Sequence, residues 1–322
     1  MKKIFITRKI PEVGIQALRD QKFEVDVSPK DRPLLKKELI KFLKKKPYDA
    51  VLTLLTDQID AEVMNACPTV KIFANFAIGF NNFDIGEAKK RGIFMTNTPG
   101  GGAWRVSEHT WALILALTCR VVEGDELMRS GKYKGWDPNL LPGTELVGKT
   151  LGIIGTGKIG ADVARKGKKG FGMNIVYYDI VKNTPLEEEL GAVYYSNADE
   201  VLKVSDIVSL HVPLNEKTRH LINKEKMALM KKTAYLVNTS RGPVVDETAL
   251  ADALRNGTIK GAGLDVFEFE PKLAKGLAGL SNVVMTPHIA SATEKSRREM
   301  AETASNNIIE VLNGNPPINP VQ

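Results

Sequence analysis

The run Gly155-Thr156-Gly157-Lys158-Ile159-Gly160 follows an apolar stretch, Thr150-Leu-Gly-Ile-Ile154, and opens a helical one. Glycines so spaced allow a tight turn, a close approach of backbone to a pyrophosphate, and tight packing of helix on strand. The free N–H groups at the helix start then face anionic oxygens. The chemistry implied is dinucleotide binding. Asp179, closing Val176-Tyr-Tyr-Asp179, stands about 20 positions on, where an acidic side chain binds the adenosine ribose hydroxyls. Its carboxylate repels a 2′-phosphate, and Ile180-Val181 offer no arginine to receive one, so NAD(H) is expected in preference to NADP(H). Three later segments carry groups that move protons or hold anions. Val237-Asn-Thr-Ser-Arg-Gly-Pro243 puts Arg241 just past a strand end, Leu264-Asp-Val-Phe-Glu-Phe-Glu-Pro271 does so for Asp265 and Glu270, and Thr286-Pro-His-Ile-Ala-Ser-Ala-Thr293 for His288. That carboxyl edge is where α/β sheets bind ligands. Plainer uses exist: Glu268 and Glu270 fit the solvent face of a strand whose other face carries Phe267 and Phe269, and Arg241 fits a helix cap or a partner of Asp246.

These groups need a scaffold. Short β-rich runs alternate with helical patterns from the start: Lys3–Thr7, Phe23–Val27, Ala50–Leu55 and Val70–Ala74, with helical segments such as Val13–Arg19 and Leu34–Lys46 between them. A second series runs through Thr150–Ile154, Asn174–Tyr178, Ile207–His211, Ala234–Asn238, Gly261–Asp265 and Asn282–Thr286, and Thr293–Leu312 reads as a terminal helix. Such alternation predicts parallel sheets covered on both faces, here two doubly wound α/β domains. Asn97-Thr-Pro-Gly-Gly-Gly102 is a turn-rich break between the series. One long helix is expected over Ala103–Ser130, with Trp111, Leu113, Ile114, Leu117 and Val121 in helical spacing and Gly131 as its stop. Cys67 and Cys119 read as two small buried thiols rather than a disulfide.

The ordered set of motifs resembles the D-isomer-specific 2-hydroxyacid dehydrogenase family over nearly the whole chain. It runs from Asn75-Phe-Ala-Ile-Gly-Phe80, Thr96-Asn-Thr-Pro-Gly100 and Val106-Ser-Glu-His109 through Gly148–Gly155, His211-Val-Pro-Leu214 and Asn238-Thr-Ser-Arg-Gly242 to Glu270-Pro271 and Pro287-His288. The resemblance implies a Rossmann cofactor domain, residues 100–287, inserted into a flavodoxin-like substrate-binding domain, residues 1–99 and 288–322. It implies that His288 donates and accepts the proton, Glu270 is its carboxylate partner and Arg241 holds the substrate. Reduction of a 2-keto acid puts a hydride on C2 and leaves an alkoxide, which a protonated imidazole beside it completes; a carboxylate orients that ring, and a guanidinium binds the substrate carboxylate or polarises its carbonyl. Backbone amides around Ile78 and Gly79 are implied to bind the substrate carboxylate, with Leu54 lining its pocket. Asp265 is implied to meet the nicotinamide carboxamide, with His211, Val212, Pro213, Thr218, Thr239 and Ser240 along the cofactor groove. His109, His211 and His220 have no recognisable carboxylate context and read as structural, and Glu268 as inert. Two departures from the family pattern are Ala290, where glycine is common, and the looser stretch Lys272–Leu280.

Composition narrows the function classes. Hydrophobic residues are 43% and charged residues 26%, which suits folded domains rather than disorder. No apolar run approaches a membrane span, and Met1–Arg8 turns charged before any signal core, so a cytoplasmic protein without membrane attachment is expected. The net charge of +7 is spread out, and its densest cluster, Lys36–Lys46, reads as the wet face of a helix whose dry face is Leu35, Leu39 and Leu43. No nucleic-acid partner and no metal are expected. Leu54-Leu-Thr-Asp57 and Gly135-Trp-Asp-Pro138 look like the glyoxylate and hydroxypyruvate reductase branch, in which that tryptophan reaches a neighbouring subunit. A small 2-keto acid and a homodimer are therefore expected. The alternatives are a D-lactate- or D-3-phosphoglycerate-type dehydrogenase of the same family, or an NAD-binding corepressor-like protein. The intact Arg241, Glu270 and His288 set argues against the latter.

Overall fold

The structure, a computed structural model, describes residues 1–100 and 102–321. Gly101, part of the expected turn-rich break, lies outside the described residues. The chain divides into two compact units, Met1–Gly102 with Ala292–Gln322, and Ala103–Ser291. The second is inserted in the sequence of the first. Residues 288–291, read from the sequence as the start of the returning segment, belong to the inserted unit. The reason is local: the His288 N–H donates to the Asp265 carbonyl at 2.9 Å, which ties this loop to the end of a strand of that unit.

The first unit holds strands β1 (Lys3–Ile6), β2 (Glu24–Val27), β3 (Ala50–Leu54), β4 (Ile72–Phe76) and β5 (Phe94–Thr96), all parallel, in the order β2-β1-β3-β4-β5. This is the flavodoxin-like order. One face packs Ile15 and Leu18 of helix Glu12–Asp20 with Met300, Ala304 and Ile308 of helix Glu294–Leu312; the other packs Leu39, Leu43, Val63 and Met64. The two helices of the first face approach so closely that a Cβ on Gly14 would lie 2.8 Å from the Ala301 carbonyl oxygen. In helix Lys36–Leu43 the apolar stripe is Leu39 and Leu43; Leu35 caps the helix in solvent, and Leu34 turns inward in its place.

The inserted unit holds β6 (Thr150–Ile154), β7 (Asn174–Tyr178), β8 (Val193–Tyr194), β9 (Ile207–Leu210), β10 (Tyr235–Asn238), β11 (Gly261–Leu264) and β12 (Val283–Met285). Their order is β8-β7-β6-β9-β10-β11-β12, again all parallel. That is the Rossmann order with one added strand. Apolar clusters cover both faces, one around Leu236, Leu250 and Leu254 and one around Trp111, Ile114 and Ile175.

The expected single helix over 103–130 is two, Ala103–Thr118 and Val121–Arg129. Arg120 takes a left-handed backbone at φ 54, and the Thr118 carbonyl receives the N–H of Thr144 at 2.8 Å. The first helix is therefore capped from a distant loop, and the chain turns before the second. Cys119, in this turn, is exposed rather than buried, whereas Cys67 is buried as expected. Among the described residues, no helix is long and apolar enough to cross a membrane.

Candidate active site

Strand register brings the inserted unit's candidate residues to one edge. Ile154 aligns with Tyr178 and Leu210, Leu210 with Asn238, Asn238 with Leu264, and Leu264 with Met285. The residues that follow these strand ends are Gly155, Asp179, His211, Thr239, Asp265 and Thr286. Gly155 and His211 sit at the switch point between β6 and β9, where the strand order reverses.

The glycine loop fits a dinucleotide. Gly155 has φ +93, and a Cβ there would meet the His211 carbonyl oxygen at 2.7 Å. A Cβ on Gly160 would lie 2.0 Å from the Gly155 carbonyl oxygen, so this glycine is needed for helix–strand packing. Gly157, the cap of helix Lys158–Phe171, faces open space with nothing within 4 Å of a Cβ. A flat backbone surface at a helix N-terminus, beside Lys158 and Ile159, is what a pyrophosphate requires. Asp179 reaches back to this loop: its Oδ2 accepts from the Thr156 N–H at 2.6 Å and hydroxyl at 3.0 Å. His211 turns Nε2 to the Ser209 hydroxyl at 2.9 Å, and burial lowers its pKa to about 3. Val212, Pro213 and Thr218 share one turn, closed by the Thr218 hydroxyl on the Pro213 carbonyl at 2.6 Å. Thr239 and Ser240 are buried, bonded to Thr110 and Asn238 respectively.

Arg241, Glu270 and His288 form a second group. His288 Nδ1 lies 3.0 Å from Glu270 Oε2, and Glu270 Oε1 accepts the Phe267 N–H at 2.9 Å. Burial works to raise the Glu270 pKa, but the His288 hydrogen bond and charge, the Phe267 amide and the Arg241 charge outweigh it and hold the carboxyl below its usual range. Glu270 is therefore anionic at neutral pH. Arg241 donates to the Ser240 carbonyl at 2.6 Å, and its own carbonyl accepts from the Asn238 side chain at 2.9 Å. Burial holds the Arg241 pKa below its usual value, and the charge of Glu270 offsets this only in part. His288 adopts a left-handed backbone at φ 54, and while its Nδ1 faces Glu270, its Nε2 makes no hydrogen bond to a described residue. Residues 268–271 form a turn closed by an isolated bridge between Phe269 and Lys272, not a strand, and Phe269 is exposed, so the strand-face reading of Glu268 and Glu270 does not hold.

Two supports were not visible in the sequence. Asp265 is fully buried; Oδ1 accepts from the Thr286 hydroxyl at 2.7 Å and the Ile289 N–H at 2.8 Å, and Oδ2 from the Ala290 N–H at 2.8 Å. His109 Nε2 lies 3.4 Å from Asp265 and 2.9 Å from Thr286. Burial raises the Asp265 pKa, but these donors, His109 foremost, carry it below the usual carboxylate value. The methyl of Ala290 is buried behind this anchor. Glu268, read as inert, is bonded to His220 at 2.6 Å, and its N–H donates to Glu247 Oε2 at 2.8 Å. Glu247 also accepts from the Ala274 N–H at 3.2 Å. This clasp fixes the turn that carries Glu270. His109 and His220 thus both have carboxylate partners, contrary to the sequence reading.

In the first unit, Leu54 ends β3 and Ile78 and Gly79 follow β4, all three half-buried at the carboxyl edge of that sheet. Among the described residues, no cluster of His, Cys, Asp or Glu is arranged to hold a metal ion.

Comparison with known proteins agrees with this geometry. The family model for the NAD binding domain of D-isomer specific 2-hydroxyacid dehydrogenases matches residues 111–290. The chain is 48% identical over 317 residues to a glyoxylate reductase of Thermofilum pendens, covering 98% of this chain and 93% of that one. It superposes on a protein from Thermus thermophilus with a TM-score of 0.92 at 40% identity, over 99% of this chain and 100% of that one. An NADPH-dependent glyoxylate/hydroxypyruvate reductase of Sinorhizobium meliloti, in complex with NADP and malonate, gives 0.86 at 29% identity over 99% and 96%. With a matching domain over more than half its length and such identity along nearly all of it, the chain belongs to the D-isomer-specific 2-hydroxyacid dehydrogenase family, oxidoreductases that act with a nicotinamide cofactor.

Proposed function

We propose that the protein reduces a small 2-keto acid, glyoxylate or hydroxypyruvate, to the D-2-hydroxy acid with NADH, and that His288 donates the proton. The observation that carries this reading is the His288–Glu270 pair, with Nδ1 committed to the carboxylate at 3.0 Å and the opposite nitrogen bonded to no described residue. When bound, the cofactor supplies a hydride to C2. The chain does the rest. His288 Nε2 gives its proton to the oxygen on C2, Glu270 holds the ring's tautomer and direction, and Arg241 meets the carboxylate or the carbonyl oxygen of the substrate. The Gly155–Gly160 loop, with Lys158 and Ile159 at the helix start, holds the pyrophosphate. His211, Val212, Pro213, Thr218, Thr239 and Ser240 line the groove beside it, and the loop that Asp265 anchors closes its nicotinamide end. Leu54, Ile78 and Gly79 receive the substrate. The cofactor is thereby assigned to the inserted unit.

His288→Ala should lower kcat by roughly 10²–10⁴ while sparing NADH binding. Unchanged turnover refutes the mechanism. An NADH-oxidation screen over 2-keto acids tests the substrate: turnover of phenylpyruvate with none of glyoxylate or hydroxypyruvate refutes that choice. Preference for NAD rests on the Asp179 carboxylate held against Thr156, with the exposed Ile180 and Val181 following it. Equal kcat/KM for NADH and NADPH refutes it. A homodimer is part of the proposal, because Trp104, Val121, Val122, Met128 and Trp136 expose a run of large apolar side chains. Light scattering at one subunit's mass refutes it. A cytoplasmic location fits the two free thiols.

A further inference from the structure

At the carboxyl edge of the first sheet lies a buried polar cluster with no hydrophobic rationale. Asn75, fully buried at the end of β4, donates from Nδ2 to the Gly79 carbonyl at 2.9 Å. Asn97, following β5, donates from Nδ2 to the Ile78 carbonyl at 2.6 Å. The Thr98 N–H takes the Ala77 carbonyl at 2.9 Å. Three successive carbonyls are therefore turned to protein donors. In a trans peptide the C=O of one residue and the N–H of the next point in opposite directions. The N–H groups of Ile78, Gly79 and Phe80 thus face away from those donors, and none donates to another described residue. Successive outward amides make an anion-binding concavity.

The cluster itself is braced. Asn75 is held by the Thr53 hydroxyl at 3.2 Å and by Asn82, whose own Nδ2 donates to the Asp57 and Leu54 carbonyls at 2.9 and 3.2 Å. Asp57 accepts from Thr7 at 2.5 Å and from the Leu54 N–H at 2.8 Å. Glycine at 79 leaves the mouth of the concavity without a side chain. From this geometry we infer that Asn75 and Asn97 are positioning residues for substrate: they hold the Ile78–Phe80 peptides so that their amides bind the carboxylate common to every 2-keto acid substrate. The inference rests on the substrate reading above and deepens it.

The test is steady-state kinetics on Asn97→Ala and Asn97→Asp, since Asn97 is only half-buried, with Asn75→Ala as a second variant. Losing the donor frees the Ile78 carbonyl to turn, and KM for the keto acid should rise on the order of 10-fold. The rise should be the same factor for glyoxylate and for a bulkier keto acid, because the carboxylate end is shared. The kcat at saturating substrate and the Kd for NADH should stay within about twofold of the parent. Asn97→Gln, which keeps the carboxamide, should recover part of the KM. A fall in kcat and in melting temperature with KM unchanged makes these residues structural only and overturns the inference, as does a KM rise confined to one substrate. If the parent protein itself turns over no 2-keto acid, the substrate reading has failed instead.

Discussion

Replacing Asp265 with asparagine removes one oxygen from a carboxylate that serves three short hydrogen bonds inside the protein. The amide must be placed somewhere. On the Oδ2 side it faces the Ala290 N–H; on the Oδ1 side it faces the Ile289 N–H, where the Thr286 hydroxyl and the His109 ring can turn to accept but the backbone N–H cannot. Either way one buried backbone N–H loses its acceptor, at about 1–3 kcal/mol, and the remaining bonds lose their charge assistance, worth about as much again. A loss of roughly 2–6 kcal/mol follows. That is within the stability of an ordinary domain, so the variant should fold. The same anchor holds the residues flanking His288, whose N–H sits on the Asp265 carbonyl. A displacement of that ring by about 1 Å is enough to cost about 10² in kcat. Urea unfolding, NADH titration and turnover on Asp265→Asn separate the possibilities. The Asp265 pKa is lowered from 3.8 in the fold, so its contribution is present above that value and is lost as pH falls below it. The stability gap between parent and variant should therefore narrow at acid pH. Unaltered unfolding together with weakened NADH binding would refute the anchor and return Asp265 to a direct contact with the cofactor.

Gly157→Ala meets open space and Gly160→Ala meets a carbonyl oxygen at 2.0 Å. The first should keep the parent's melting curve and lose at least about 10-fold in NADH affinity, while the second should lose stability outright; thermal melts with cofactor titration distinguish them, and equal effects would undo the assignment of roles within the loop. His211 should make the protein acid-sensitive. Its pKa drops from 6.5 to about 3 on folding, so the unfolded chain takes up a proton that the folded one refuses. Stability is then complete above about pH 6.5 and declines toward pH 3, by up to about 1.4 kcal/mol per unit. His211→Gln should flatten urea-unfolding stability between pH 7 and 5; an unchanged slope would show that other groups set it.

What could be read from the residues was what local chemistry determines. Glycine spacing after an apolar run identifies the phosphate loop because each glycine answers a local steric demand, and the geometry at Gly155 and Gly160 meets those demands. The strand ends carrying Arg241, Asp265 and Thr286 were legible because alternating β and α patterns leave one choice of edge. The pairings His109–Asp265 and His220–Glu268 were not legible. They join residues 156 and 48 positions apart, and only the packing of helix Ala103–Thr118 and of the loop between β9 and β10 against the segment that follows β11 brings them within reach. The break at Arg120 was hidden for a related reason. A left-handed arginine has no signature in the sequence, and the donor that caps the preceding helix comes from Thr144, beyond the whole next helix.

The same reasoning accounts for the polar cluster that sequence analysis overlooked. Asn75 and Asn97 lie inside motifs already recognised, but Asn75, buried within a strand pattern, looks like an interruption, and Asn97, half-buried just past a strand, looks like part of a turn. An unpaired carboxamide inside a sheet costs several kcal/mol, so its presence there demands partners. Those partners are carbonyls of a loop that no strand can pair, because it has just left the edge of the sheet. In both units the sheet edge leaves backbone groups unpaired. In the inserted unit Asp265 and Glu247 collect N–H groups and so fix the loops of His288 and Glu270. In the first, Asn75 and Asn97 collect carbonyls and so leave N–H groups outward. Carboxylates gather donors and carboxamides can gather acceptors. A chain that must hold an imidazole steady at one edge and offer amides to an anion at another therefore needs acidic residues behind the first and asparagines behind the second.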